Sequence, residues 1–323
     1  MLGARRRRTP WTATPEALEL LTSHGGPFDS AAFRRCWIEC FPDWRDASFG
    51  AERADGTRAA VALLARGREL ADSIPTAYGG VVTSRKVAVL HEFEAFLEAA
   101  RKEIGVRSLL VRTVPVRPGV GTSHVGAAVR GWTSVVHLGK GQSTEARYAQ
   151  KARRSIRTAQ RASAEVVITD DADAFVSLYR VAAATHWLRY PDELLRGLAH
   201  EGAARFYDVR VGGESVSSVL VLSSTSHWTT WLAAQNETGR EINGNYLAVA
   251  AVLEDAQRSG TRAVDLGVSH GLPPGVLHFK ERFDAVLVPV LEHRAAAPGA
   301  GLAERAKLPS RRIVRFLRRI SRR

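Results

Sequence analysis

The chain has 323 residues, of which 45% are hydrophobic and 24% charged, and a formal net charge of +13. These proportions predict a soluble globular protein, and the length favours two domains of ordinary size. The longest apolar run, residues 247–253, is far shorter than the ~20 residues of a spanning helix, which argues against a membrane-spanning protein. Most of the charge lies at the ends. Residues 1–8 carry +4 and residues 303–323 carry +8, so about +1 remains for the body.

The first half of the chain predicts an α+β unit over residues 25–138, after a basic segment at residues 1–24. Apolar periodicity indicates helices, and short β-branched or apolar runs between turn residues indicate strands. In chain order we predict a helix over 27–45, a turn at Gly56, a strand over 58–64, a loop running into a strand over 73–82, a helix over 91–104, and strands over 108–116 and 132–138.

The second half, residues 139–294, repeats this pattern and forms a second predicted domain. Its first helix has one face of small residues and several arginines on the others. The remaining chain, residues 295–323, reads as a small-residue linker followed by a basic amphipathic helix. In chain order we predict a helix over 144–162, a strand over 166–168, a helix from 170 to 186, a hairpin over 206–222, a strand over 227–232, a helix over 243–259, and strands over 263–266 and 285–291.

The most informative stretch runs from Gly260 to Phe283. It combines a short apolar strand that contains Asp265, a Gly/Pro-rich loop, and the pair Phe279 and Lys280. The loop contains a glycine-x-serine-x-glycine pattern like that of serine hydrolases. That pattern must lead directly into a helix. Since two prolines follow it and only 54 residues remain after Ser269, we reject the hydrolase interpretation.

Residues 25–293 resemble the FemAB-type transferases of the GNAT acyltransferase superfamily. In the second half the resemblance rests on four segments, and their order and spacing are more specific than any one of them. A loop of the first half, Pro75-Thr-Ala-Tyr-Gly-Gly80, is similar to one in the N-terminal GNAT-like domain of that family. The four segments are Lys151-Ala-Arg-Arg-Ser-Ile-Arg-Thr-Ala159, Asn243-Gly-Asn-Tyr246, Val264-Asp-Leu-Gly267 and Phe279-Lys280.

The resemblance implies a mixed α/β (α+β) fold of two tandem GNAT-like domains, each a twisted mixed sheet flanked by helices. It also implies amide formation, in which an aminoacyl group passes from aminoacyl-tRNA to an amine of a small molecule, a peptide-like compound or a cell-envelope precursor. No bound cofactor is expected, because the donor is a co-substrate. The glycine-rich pyrophosphate loop of acetyl-CoA users is missing, and Arg117-Pro-Gly-Val-Gly121 has the wrong spacing. We therefore prefer aminoacyl-tRNA to acyl-CoA as donor.

The candidate catalytic residues are Lys280, Asp265 and His270. The reaction needs alignment and a positive or N–H-rich place for the carbonyl oxygen. The resemblance assigns that place to Lys280, and a salt-bridged surface lysine is the alternative. Asp265 would orient the loop or Lys280, or else cap a strand end. His270 has a suitable ordinary pKa for a general base, or it is a loop histidine without a role.

Candidate donor- and substrate-binding residues come from both halves of the chain. The arginines of the first helix suit phosphates because guanidinium groups bind them bidentately, although a solvated helix face is the alternative. The aromatic and amide residues either contact substrate or belong to the core. The candidates are Arg153, Arg154, Arg157, Trp231, Asn243, Tyr246, Phe279 and Tyr78.

Two other functions remain open at this level. One is an acyl-CoA-dependent N-acyltransferase of envelope polysaccharide or natural-product biosynthesis. The other is a non-catalytic scaffold at a membrane surface. The basic helix over 303–323 favours peripheral contact with an anionic membrane, where lipid-linked acceptors lie, but it would also neutralise tRNA phosphates. We expect a cytoplasmic protein, or one at the inner face of the membrane.

Overall fold

The structure is a computed structural model and describes residues 10–73, 78–85, 90–114, 127–139, 143–183, 189–224, 227–269 and 274–297. His270 and the predicted tail helix lie outside these residues. The strands are β1 (Thr12–Ala13), β2 (Trp44–Asp46), β3 (Phe49–Glu52), β4 (Arg58–Val61), β5 (Leu64–Arg66), β6 (Leu70–Asp72), β7 (Val81–Thr83), β8 (Ser108–Thr113), β9 (Ala128–His137), β10 (Glu165–Thr169), β11 (Ala204–Val211), β12 (Glu214–Ser223), β13 (His227–Gln235), β14 (Ala263–Val268) and β15 (Val286–Ala296).

The helices pack on both sides of the strands. They are α1 (Glu19–His24), α2 (Ala31–Cys40), α3 (Leu90–Ile104), α4 (Thr144–Arg147), α5 (Gln150–Arg161), α6 (Asp173–Ala183), α7 (Asp192–His200), α8 (Glu237–Glu241), α9 (Gly244–Arg258) and α10 (Pro274–Glu281).

One sheet runs through both halves of the molecule. Its strand order is β10-β11-β12-β13-β14-β9-β15-β8-β6-β5-β2, and a smaller sheet has the order β1-β3-β4-β7. The last strand, β15, lies between β9 and β8, with Val288 opposite Thr133 and His293 opposite Val111. Strands from either side of the predicted boundary at residue 138 therefore alternate in the sheet. The division into 25–138 and 139–294 stays a prediction.

Several predicted elements differ from the structure. The strand predicted over 58–64 divides between β4 and β5, which belong to different sheets. The helix predicted over 27–45 is shorter, since α2 ends at Cys40, just before Phe41 and Pro42, and β2 follows. The helix predicted over 144–162 is interrupted at Tyr148, whose buried ring packs against Phe283 with centroids 5.1 Å apart. The segment before Lys280, predicted as a loop, contains α10. Its first residue is Pro274, a position where the missing proline N–H costs nothing.

On one face of the sheet, the core of the second half forms beneath α5 and α9, while α6 and α7 cover the other face. Helix α5 packs against α9, and its small buried residues Ala152, Ser155 and Ala159 make that close approach possible. Helix α9 in turn covers β11, β12 and β13. No helix among the described residues is both long enough and apolar enough to span a membrane.

Candidate functional site

The central strands β13 and β14 are parallel and pair over only three residues. The ladder joins His227 to Ala263 and ends where Thr229 meets Asp265. Both strands continue beyond that point, to Gln235 and Val268. Because the strands are no longer bonded to each other there, the sheet opens at its centre. Strand β13 also has a bulge at this level, since the register to β12 shifts between Leu232 and Thr230.

A cavity of about 920 Å³ occupies this opening. Its walls come from β13, α8, the start of α9, the end of α6, Leu266 of β14, and α10. The size is that of a pocket for a small molecule or for the reactive end of a larger substrate. Several predicted site residues line it together: Trp231, Asn243, Tyr246, Phe279 and Lys280.

Lys280 lies in the last turn of α10 and is only 6% exposed. Its Nζ donates hydrogen bonds to the carbonyl oxygens of Gly267 and Val268, each at 2.8 Å, and to Ser269 Oγ at 3.2 Å. Burial lowers the pKa of the ammonium from its usual 10.5 to about 8, while the negative charge of Asp265 acts in the opposite direction. The lysine thus places a desolvated charge beside the cavity and fixes the end of β14.

Asp265 is fully buried beneath the cavity. Its carboxylate accepts hydrogen bonds from the hydroxyls of Tyr78 and Thr133, and from the backbone N–H of Gly267 at 2.7 Å. The N–H of Gly267 therefore faces the buried acid, and its carbonyl faces the buried lysine. These three hydrogen bonds fix the carboxylate at the strand end that Lys280 also contacts, and the role of Asp265 in orienting the loop or Lys280 stays a prediction.

Gly267 connects the two charges because it adopts a conformation that few other residues tolerate. Its φ is +83°, and a Cβ atom at this position would lie 3.2 Å from the carbonyl oxygen of Thr230 and 4.0 Å from Lys280 Nζ. The left-handed backbone turns the carbonyl towards the ammonium. A glycine is required here by both conformation and space.

Tyr78 joins the first half of the chain to this strand. The side chain is 3% exposed, and its hydroxyl lies 3.1 Å from Thr133 Oγ1 in addition to its bond with Asp265. It is not among the residues that line the cavity. Its predicted contact with substrate stays a prediction, and its observed contacts are with Thr133 and Asp265.

The α9 side of the cavity is built by Tyr246 and its neighbours. Its ring packs edge-to-face on Phe279 with centroids 4.6 Å apart, and its hydroxyl accepts a hydrogen bond from the guanidinium of Arg282. Asn243 precedes the helix in a left-handed conformation with φ 64°. Gly244 follows, and a Cβ there would lie 2.8 Å from the Cβ of Ser217. The Asn-Gly pair lets α9 begin close against β12.

Trp231 forms the wall on the other side of β13. Its ring packs against Phe28, Phe33 and Tyr190, with centroids 5.9, 5.5 and 4.6 Å away. It therefore belongs both to the cavity lining and to an aromatic cluster with the first half of the chain. Both alternatives raised by the sequence, core and cleft wall, apply to this residue.

The predicted arginine patch lies elsewhere. Arg154 and Arg157 are exposed on α5, and the guanidinium of Arg153 donates to the carbonyl oxygen of Tyr148. None of the three lines the cavity. Phosphate binding by these arginines stays a prediction.

Sequence reasoning missed the residues of α8. Glu237 and Arg240 line the cavity together with the amide side chains of Gln235, Asn236 and Asn245. One signal was present, because Asn236 is a typical N-cap residue, and its Oδ1 accepts from Gly239 N at 2.9 Å. Among the described residues, no cluster of His, Cys, Asp and Glu side chains could hold a metal ion.

Comparisons with known proteins show which domains and folds this chain is similar to. Residues 146–281 match the family described as "Acetyltransferase (GNAT) domain". No curated protein matches the chain. Among solved structures, FemX has the same fold, with a TM-score of 0.63 and 12% sequence identity. The match covers 87% of this chain and 95% of the FemX chain.

Two further structures have the same fold. The structure of L-PGS from Bacillus licheniformis gives a TM-score of 0.54 at 13% identity, covering 94% of this chain and 97% of that one. The C-terminal domain assigned to a lysylphosphatidylglycerol synthetase from Agrobacterium fabrum gives a TM-score of 0.53 at 14% identity. The match covers 90% of this chain and 94% of that domain. The predicted mixed α/β fold is confirmed, and the predicted resemblance to FemAB-type transferases is confirmed as a resemblance: residues 146–281 match an acetyltransferase (GNAT) domain, and FemX has the same fold.

Proposed function

With the GNAT acyltransferase domain as premise, we propose that this protein forms amide bonds by moving an aminoacyl group from aminoacyl-tRNA to an amine. The acceptor is a small-molecule, peptide-like or cell-envelope precursor. The observation that carries the proposal is the buried charge of Lys280 at the cavity where β13 and β14 part. A carbonyl group that reacts in this cavity would lie beside a fixed cation, and little water would compete for the charge that develops on its oxygen.

The chemistry asks little of the protein beyond position and charge. The acceptor nitrogen attacks the ester carbonyl carbon, a C–N bond forms, and negative charge grows on the carbonyl oxygen. The C–O bond to the donor ribose then breaks. The ribose oxygen takes up the proton that the amine loses and leaves as a hydroxyl group. The three N–H groups of the Lys280 ammonium donate to Gly267, Val268 and Ser269, so Lys280 stabilises the oxyanion through its fixed positive charge and not as a hydrogen-bond donor. No covalent enzyme intermediate is required.

The segment between β13 and α9 favours tRNA over CoA as donor. A pyrophosphate loop presents several free backbone N–H groups to the ligand. Here α8 occupies this segment, and several of the segment's N–H groups are already used. Those of Arg240, Ile242 and Asn243 donate to carbonyl oxygens of the same segment at 3.1, 3.0 and 3.2 Å. A CoA pyrophosphate would find few free donors there.

Donor preference is tested by measuring deacylation of charged tRNA and of acyl-CoA, each stimulated by a panel of amines. We expect amine-dependent loss of the aminoacyl ester that RNase abolishes. Thioester loss without any tRNA requirement would instead select an acyl-CoA-dependent N-acyltransferase. Failure of both donors with every amine would favour a non-catalytic scaffold.

The role of Lys280 is tested with Lys280→Met in the same assay. We expect kcat to fall by about 10²-fold, the lower end of the range for removing one oxyanion-stabilising group, because Lys280 acts through its charge alone. Lys102→Met is the matched control, since Lys102 is an exposed lysine on α3 and should leave the rate unchanged. An unaltered rate in Lys280→Met, with the fold intact by circular dichroism, would contradict the assignment.

The residues outside the described ranges carry two further predictions. His270 stays a candidate general base, and residues 303–323 stay a candidate membrane or tRNA contact. Co-sedimentation of the full chain and of a chain truncated at residue 302 with anionic vesicles tests the membrane contact. Unchanged pelleting after truncation would contradict the membrane contact and, with it, a location at the inner membrane face.

A further inference from the structure

The long sheet has two edge strands, and they differ in how well they are protected. An edge strand presents a row of unpaired backbone N–H and C=O groups, and short strands and charged side chains keep such an edge from pairing with another chain. Strand β2, at one edge, has only three residues, and the guanidinium of Arg45 in that strand donates to the carbonyl oxygen of Ile104. At the other edge lies β10, which among the described residues pairs with β11 alone.

Strand β10 lacks the protection that β2 has. Its sequence is Glu165-Val-Val-Ile-Thr169, and its last four residues are all β-branched, the type that favours strands. None of the five residues is buried, and Ile168 is 45% exposed. The three central residues are uncharged, and no proline interrupts them. This edge therefore has the composition of a strand that pairs with one more strand.

A second copy of β10 fits this edge, because the strand is complementary to itself. When two copies run antiparallel about Val167, Val167 faces its own counterpart. Ile168 then faces Val166 of the second copy, and Glu165 faces Thr169 of the second copy. Facing side chains in such a pair have Cβ atoms about 4.5–5.5 Å apart and contact each other. Since Val166 already packs on the core beneath α9, the pairing would cover Ile168 in both copies and join their apolar surfaces.

The charges that flank β10 match in the same arrangement. Arg161, the last residue of α5, precedes the strand, and Asp170 and Asp171 follow it. All three are exposed, and none of them forms an ion pair with another described residue. Antiparallel pairing brings the end of each strand to the start of the other, so the acids of each copy approach the arginine of the other. A parallel pairing would instead set acid against acid.

We propose that this protein forms a two-fold homodimer in which the β10 strands of two copies pair antiparallel about Val167. A two-fold axis makes each contact twice, as a self-complementary surface requires. A seam of one short strand per copy is smaller than the surface of a standard stable complex, so we expect a weak dimer with a Kd on the order of 10 μM. No residue of β10 lines the cavity, and the dimer is therefore independent of the proposed reaction.

Sedimentation equilibrium of the full chain, from low micromolar to submillimolar concentrations, measures the association. Val167→Lys sets two ammonium groups opposite each other at the axis and should raise the Kd by about tenfold or more. Val286→Lys is the matched control, because Val286 is also exposed but lies in β15, away from either edge of the sheet, and should leave the Kd unchanged. The proposal is overturned if wild type stays monomeric, or if Val167→Lys associates as tightly as wild type.

The flanking charges give a second test that leaves the strand itself unaltered. Arg161→Glu should raise the Kd by about twofold to tenfold, since only acids then meet at both ends of the seam. Adding Asp170→Arg to the same chain restores opposite charges and should return the Kd towards that of wild type. A double variant that associates no better than Arg161→Glu alone would overturn the antiparallel orientation.

Cysteine cross-linking tests the register. Val167→Cys should give a disulfide-linked dimer on mild oxidation, because the two thiols face each other at the axis. Glu165→Cys should not, since its two copies lie four strand steps apart, about 13 Å, which is too far for a disulfide. Wild type, which carries Cys36 and Cys40, is the blank under the same oxidant. Equal cross-linking of the two variants, or none in either, would overturn the pairing about Val167.

Discussion

The buried pair Asp265 and Lys280 gives the sharpest prediction about stability. Asp265→Asn removes the negative charge that favours the ammonium, which then stays buried without compensation. Breaking a direct buried ion pair from one side costs about 3–5 kcal/mol, which is the upper limit for these two charges because they act on each other across Gly267. Lys280→Met leaves the acid with its three hydrogen bonds but takes a donor from two carbonyl oxygens, and we expect a loss of about 2–4 kcal/mol. The double variant removes both charges.

Because each single variant leaves a charge without its partner, the two losses should not add. We expect the double variant to be more stable than the sum predicts by about 1–3 kcal/mol. The measurement is urea unfolding of all four proteins at pH 7, followed by tryptophan fluorescence and extrapolated linearly. The control cycle is Glu98→Gln with Lys102→Met, an exposed pair on α3 at 3.7 Å, with expected coupling of about 0.3–0.5 kcal/mol.

Additive losses at Asp265 and Lys280, within about 0.5 kcal/mol, would refute the reasoning. They would mean that the two charges do not interact across Gly267. A coupling no larger than that of the exposed control would have the same meaning, because burial is the reason for expecting a larger one.

Three further predictions follow from the same region. Between about pH 8 and 10.5 the unfolded chain keeps the proton of Lys280 that the folded protein has lost, so stability should rise with pH there. In urea unfolding wild type should gain up to about 3 kcal/mol relative to Lys280→Met across that window, and a constant difference would contradict the lowered pKa. Gly267→Ala should lower stability by about 1–3 kcal/mol because of its positive φ and close Thr230 oxygen, measured by the same unfolding; a neutral effect would show that the backbone relaxes freely. Tyr78→Phe should cost about 1.5–3 kcal/mol, the value of a hydrogen bond to a charged group, while the acceptor KM stays unchanged; a raised KM with normal stability would place Tyr78 in contact with substrate.

Local sequence determined most elements and much of the site. The apolar periodicity of α9, the small-residue face of α5 and the Gly-Gly hairpin between β11 and β12 all depend on neighbours within a few residues. The resemblance to a known family singled out Asn243, Tyr246, Phe279 and Lys280, and all four residues line the same cavity. Lys280 was assigned from its place after a strand and a loop, although the helix that carries it, α10, was not predicted.

Tertiary structure alone decided where the cavity opens and what supports it. The end of the ladder between β13 and β14, the position of β15 between β9 and β8, and the bond from Tyr78 to Asp265 join residues far apart in the chain. A hydrophobic period tells which face of an element is buried but not which element covers it. The arginines of α5 look like site residues in the sequence and lie outside the cavity, because the side on which a helix packs is fixed by its partners. The sequence therefore determined the pieces, and long-range strand pairing determined which of them meet.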